Sequence, residues 1–131
     1  MQITKNFTLA ELTTTNTGIA NEPNRQQTSA LITLCGKVLQ PARDMIGEPI
    51  HVNSGFRSVA VNSAVGGARS SQHTRGEAAD ITVHSREGNK QLFELIRDNL
   101  PFDQLIDERN FSWIHVSYKS EGENRKQVLR L

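Results

Sequence analysis

An α+β domain is the fold that this 131-residue sequence predicts. Two observations carry that expectation. One long stretch repeats apolar residues at three- and four-residue steps, the period of a helix buried along one face. Three shorter stretches contain alternating apolar and polar residues, as strands with one buried face do. Helices packed on one face of a small antiparallel sheet satisfy both patterns. The length suits one domain spanning residues 1–131.

The elements follow in chain order. Thr8 and Glu11 form a T-x-x-E capping box that starts a first helix, with Phe7 and Leu12 placed as a hydrophobic staple. Thr13–Gln27 is rich in Thr, Asn and Gly and reads as a surface loop. The helical stripe is Leu31, Leu34, Cys35, Val38, Leu39, Ala42, Met45 and Ile46. Pro41 should kink that helix, because its ring removes a backbone hydrogen bond. Gly47 and Pro49 end it. Ile50–Asn53 reads as a strand, and Ser58 can cap a short helix that stops at Gly66-Gly67. Ala79–Val83 is a second strand. Leu92, Phe93, Leu95 and Ile96 mark a helix that stops before Pro101, and Trp113–Tyr118 is a third strand. The tail Glu121–Leu131 is charged with a short apolar end, which suits either packing on the core or fraying.

Composition narrows the function classes. Fifteen Lys and Arg against fourteen Asp and Glu leave no basic excess, so no nucleic-acid partner is expected. No apolar run approaches the ~20 residues of a membrane span. Cys35 is the sole cysteine, which excludes an internal disulfide and a multi-cysteine zinc site. Its place on the helical stripe makes it a small core residue. Met1–Asn6 lacks the apolar segment of a secretory signal, so synthesis in the cytoplasm is expected.

Side chains alternate along a strand, and this groups the polar residues. Asp80, Thr82 and His84 share one face of the second strand; Trp113, His115 and Ser117 share one face of the third. Their apolar opposite faces can bury against helices, leaving Asp80 and His115 free to converge. His73 precedes Asp80 by seven residues, with Gly76 permitting a tight bend between them. Two imidazoles and one carboxylate are a usual ligand set for catalytic zinc, with a position left for water. Spacing alone leaves ordinary surface or core histidines as an alternative. His51 and His84 are read as such.

The motifs make the comparison sharper. Ser54-Gly-Phe-Arg-Ser58, Asn62-Ser-Ala-Val-Gly-Gly67, Ser71-Gln-His-Thr-Arg-Gly-Glu-Ala-Ala-Asp-Ile81 and Trp113-Ile-His-Val-Ser117 resemble one series. It is that of the peptidase M15 family, which includes zinc D-alanyl-D-alanine carboxypeptidases, dipeptidases of the vancomycin-resistance type and phage L-alanyl-D-glutamate endolysins. Phe7–Leu12, Val38–Arg43 and Phe102–Ile106 resemble the short, phage-like branch. The resemblance implies an α+β fold with an antiparallel sheet, shared with the hedgehog signalling domain. It also implies Zn²⁺ held by His73, Asp80 and His115. Arg57 would stabilise charge on the scissile carbonyl, and Ser71 would help bind substrate. A carboxylate base is expected shortly before the last histidine; counting from Gln104 favours Glu108, with Asp107 as the alternative.

The implied activity is hydrolysis of peptidoglycan stem peptides through a zinc-bound water. The bond would be D-Ala-D-Ala, as in a carboxypeptidase, or L-Ala-D-Glu, as in an endolysin. The expected protein is a monomer that acts on the cell wall after phage-type release. The competing reading is a non-catalytic module of the same fold, a zinc-containing phage structural part or cell-wall binder.

Overall fold

The computed structural model describes residues 1–131. Its centre is a five-stranded sheet with helices on one face. The strands β3 (His51–Ser54), β4 (Ala78–Thr82), β5 (Gln104–Glu108), β6 (Trp113–Ser117) and β7 (Gln127–Arg130) lie in the order β3-β4-β6-β5-β7. All pairs are antiparallel except β5 with β7, which is parallel. The expected sheet was wholly antiparallel, and the difference is the chain tail. Lys126 N donates to Phe102 O and Gln127 N to Asp103 O, so the tail is laid alongside β5 in the same direction. Nothing in the alternation of the tail announces a strand, because β7 is an exposed edge.

The helix-facing side of the sheet carries Ala79, Ile81, Leu105, Ile114 and Val116, all fully buried. Against them pack two helical layers. One runs from α2 (Arg25–Leu34) through a π-helical segment, Cys35–Leu39, into α3 (Gln40–Ile46). Of the predicted stripe, Leu31 through Ala42 are buried and Ile46 packs partly, whereas Met45 is exposed. The break expected at Pro41 takes a definite form. Gln40 N donates to Cys35 O, five residues back, and the wider π turn precedes the proline at the start of α3. Cys35 lies in this core, and burial pushes its thiol up to about 12. A thiol held neutral at physiological pH is packing material, as its place on the stripe predicts.

The second layer is α5 (Arg86–Asn99), capped by Ser85 Oγ, which accepts from Gly88 N. Leu92, Phe93 and Ile96 face the sheet. Asn89 of this helix is buried and accepts from Val83 N while donating to Phe111 O. It thereby ties the end of β4 to the turn between β5 and β6.

At the amino end, β1 (Gln2–Thr4) and β2 (Phe7–Thr8) form a small hairpin that alternation did not reveal. It leads into α1 (Leu9–Thr13), where the Thr8–Glu11 capping box is complete and both Phe7 and Leu12 are buried. The loop expected over Thr13–Gln27 is shorter than that. A second capping box, Asn24 with Gln27, starts α2 at Arg25. The short helix capped by Ser58 is α4 (Val59–Ala64). No helix is long and apolar enough to cross a membrane.

Candidate active site

The sheet's other face bears the polar residues. Asp80 on β4 pairs with His115 on β6, and His115 in turn pairs with Ile106 on β5. Two residues further along, Glu108 pairs with Trp113. Glu108 and His115 are therefore diagonal neighbours on one face, about 7–8 Å apart along the backbone surface in ordinary sheet geometry and within reach of long side chains. Being on adjacent central strands, these positions are rigid relative to one another.

His73 arrives from outside the sheet. It sits on a short 3₁₀ turn, Gln72–Arg75, whose first N–H groups are capped by Ser71: its Oγ accepts from His73 N. Gly76 closes the turn at φ 74°, and a Cβ there would run into the Gln27 carbonyl. The ring's Nδ1 lies 2.7 Å from the Gly55 carbonyl oxygen. A carbonyl only accepts, so Nδ1 carries the proton and the Nε2 lone pair is turned inward, 3.4 Å from Asp80 Oδ1. Gly55 is itself pressed against α1, since a Cβ on it would meet the Leu12 carbonyl. The amino-terminal helix thus sets the position of the His73 imidazole.

The Asp80 carboxylate is shared among three partners. Oδ1 faces His115 Nδ1 at 3.0 Å as well as His73, while Oδ2 accepts from Arg57 Nη2 at 3.3 Å. Burial acts to raise the Asp80 pKa, but the neighbouring imidazoles, that of His115 first, outweigh it. The carboxyl is held well below the usual range.

One ligand atom each from His73, Asp80 and His115 lies within 4.8 Å of the others. Two imidazole nitrogens and a carboxylate oxygen, with one imidazole already locked by a backbone carbonyl, are a donor set that fits zinc. The cluster holds no cysteine or further histidine, so such an ion would keep a position open for a water or a substrate oxygen.

A cleft of about 750 Å³ opens over this cluster and is lined by Arg57, Ser71, His73, Asp80, Glu108, Trp113 and His115, among others. The structure thus gathers around one cleft six of the residues singled out in the sequence. Asp107 is not among them. It points to the opposite face, where its Oδ1 accepts from Phe111 N at 2.6 Å and its Oδ2 from Arg130 Nε. Its neighbours Arg109, Asn110 and Phe111 all have positive φ, between 49° and 60°. Asp107 therefore braces a left-handed turn that costs backbone strain.

Two further residues position Arg57. Ser54 Oγ accepts from its Nε at 3.0 Å, and the buried Asn62 Oδ1 accepts from its Nη1 at 3.3 Å. Both stand inside the short motifs around the arginine, three residues before it and five after it. Sequence reasoning assigned them no role because neither residue type is diagnostic without its partner.

A family model described as Peptidase M15 matches residues 5–117. The zinc D-Ala-D-Ala carboxypeptidase of Streptomyces albus G is 44% identical over 85 residues. That alignment takes in 62% of this chain and 32% of the relative, so the chain spans about a third of the relative's length.

Proposed function

The chain belongs to the peptidase M15 family, and from that premise we propose that it is a zinc peptidase acting on the stem peptides of bacterial peptidoglycan. The observation that carries this reading is the convergence of His73, Asp80 and His115 beneath a cleft that also holds Glu108 and Arg57. Zinc, when bound by those three residues, supplies Lewis-acid chemistry: it polarises a carbonyl oxygen and lowers the pKa of a water to about 7.

The chain's own residues do the rest. The Glu108 carboxylate takes a proton from the attacking water and delivers it to the leaving amine nitrogen. The Arg57 guanidinium donates to the carbonyl oxygen as that atom gains negative charge. Ser54 and Asn62 already hold the guanidinium, so little reorganisation accompanies the reaction. Gly55 fixes the His73 tautomer. Ser71, both a turn cap and a wall of the cleft, orients the peptide. Asp107, spent on the Phe111 turn, is assigned no catalytic part.

Two stem bonds suit this chemistry: the terminal D-Ala-D-Ala bond and the internal L-Ala-D-Glu bond. Mass spectrometry of digested peptidoglycan, with zinc and with a chelator, tests the reading. Chelator-sensitive fragments are expected, and their masses name the bond. Intact wall from several bacterial chemotypes, after treatment with zinc-loaded protein, would overturn the peptidase reading in favour of a binding module of the same fold.

A further inference from the structure

The cleft contains two arginines that the hydrolytic chemistry does not use, Arg75 and Arg125. Arg125 belongs to the segment after residue 117, beyond the stretch that the family model matches. It is held unusually firmly for a half-exposed side chain. The Asp103 carboxylate, with no solvent exposure, accepts from Arg125 N at 2.9 Å, from Nε at 3.0 Å and from Nη2 at 2.7 Å. Those hydrogen bonds pull the Asp103 carboxyl below its usual range against the opposing effect of burial. The guanidinium is thereby a fixed fork whose Nη1 has no partner within the chain. Arg75 is held in the same way, with Nε donating to Glu77 Oε1 and Nη1 to the Ser70 carbonyl, while Nη2 is unpartnered.

Position along the sheet gives the spacing. Arg125 lies two residues before β7, beyond the end where Gln127 pairs with Gln104, whereas Glu108 is at the far end of β5. Four residues of strand separate these ends, roughly 13 Å. An extended peptide covers that distance in three to four residues.

We propose that Arg125, assisted by Arg75, is a specificity determinant that binds a carboxylate of the substrate about three residues from the scissile bond. In a stem peptide cut at its terminal D-Ala-D-Ala bond, the α-carboxylate of the D-glutamyl residue stands at that spacing. Stems carrying D-isoglutamine, its carboxamide counterpart, are then discriminated against. A guanidinium clamped by a buried carboxylate suits this task, because a charge-assisted hydrogen bond from its free Nη1 favours carboxylate over amide and little side-chain entropy remains to be lost. The inference rests on the peptidase reading.

The test uses two synthetic stem pentapeptides that differ only in D-glutamate against D-isoglutamine. Their dissociation constants are measured by calorimetry on zinc-loaded protein carrying Glu108→Gln, which blocks turnover, and on the same protein with Arg125→Gln added. Hydrolysis of both peptides is followed in the otherwise wild-type protein. The parent is expected to prefer the carboxylate peptide about tenfold, the worth of one charge-assisted hydrogen bond. Arg125→Gln should abolish that preference and leave affinity for the amide peptide unchanged. Should Arg125→Gln fail to fold for want of the Asp103 pair, Arg125→Lys retains a cation there and should lower the preference severalfold. Equal affinities in the parent, or a preference that survives both substitutions, would overturn the proposal while hydrolysis leaves the peptidase reading standing. Failure to bind or cleave either peptide overturns both.

Discussion

Two groups of carboxylates are set on the same sheet and have opposite fates. At the centre, Asp80 is flanked by the imidazoles of His73 and His115 and opens onto a cleft. At the β5–β7 edge, Asp103 and Asp107 are at least as deeply buried but are met by arginines of the tail and by backbone N–H groups. The partners decide the outcome. An imidazole has a lone pair that can turn to a cation, whereas a guanidinium or an amide N–H can only donate. The central carboxylate is therefore available to a metal, and the edge carboxylates are consumed in holding backbone in place.

Substitutions separate the two groups, beginning with the largest effect. His115→Ala should abolish stoichiometric zinc binding, measured by elemental analysis of the purified protein; full zinc content would remove His115 from the ligand set. Glu108→Gln should retain zinc and lose about 10²–10⁴-fold in kcat, the usual worth of a positioned acid–base group. A variant with undiminished turnover would place the base elsewhere. Asp107→Ala should behave as an edge residue. It leaves the Phe111 N–H unsatisfied in the interior and should cost about 1–3 kcal/mol in denaturant unfolding, with zinc content retained and kcat within a few-fold of wild type. A loss as large as that of Glu108→Gln would erase the distinction drawn between neighbouring carboxylates.

The smallest effect concerns pH. The Asp103 pKa is lowered in the folded protein, by hydrogen bonds from Arg125 first of all. Its contribution to stability is therefore present above the unfolded carboxyl value, about 3.9, and is lost as pH falls through the folded value. Urea midpoints between pH 3 and 7 should fall more steeply in acid for the wild type than for Asp103→Asn. Parallel profiles would show that the Arg125 anchor adds nothing.

The difference between Asp107 and Glu108 also marks how far the sequence could be read. Counting along the motif favoured Glu108, yet the two differ by one residue, and one residue is a change of sheet face. Gln104-Leu-Ile-Asp-Glu108 mixes apolar and acidic positions, so its alternation does not announce which face is inward. The pairing of Ile106 with His115 decides it. Asp80 and His115 were readable because their strands alternate cleanly. The same holds for Thr8–Glu11, whose capping box is a contact within four residues.

What the sequence by itself determined is what short-range geometry encodes. This includes the α+β class, the buried stripe from Leu31 to Ala42, the helix starts at Thr8 and Ser58, and the shared face of Asp80 and His115. Spacing made His73 a candidate third ligand; motif resemblance added the family and pointed to Arg57, Ser71 and Glu108. Tertiary structure decided the rest: the Gly55 carbonyl that locks His73, the Ser54 and Asn62 clamp on Arg57, the face of Glu108, and the tail strand that brings Arg125 to the cleft. Each of these is a meeting of segments distant in the chain. Periodicity reports which side of its own element a residue occupies, but the register between elements is set only when their cores pack together.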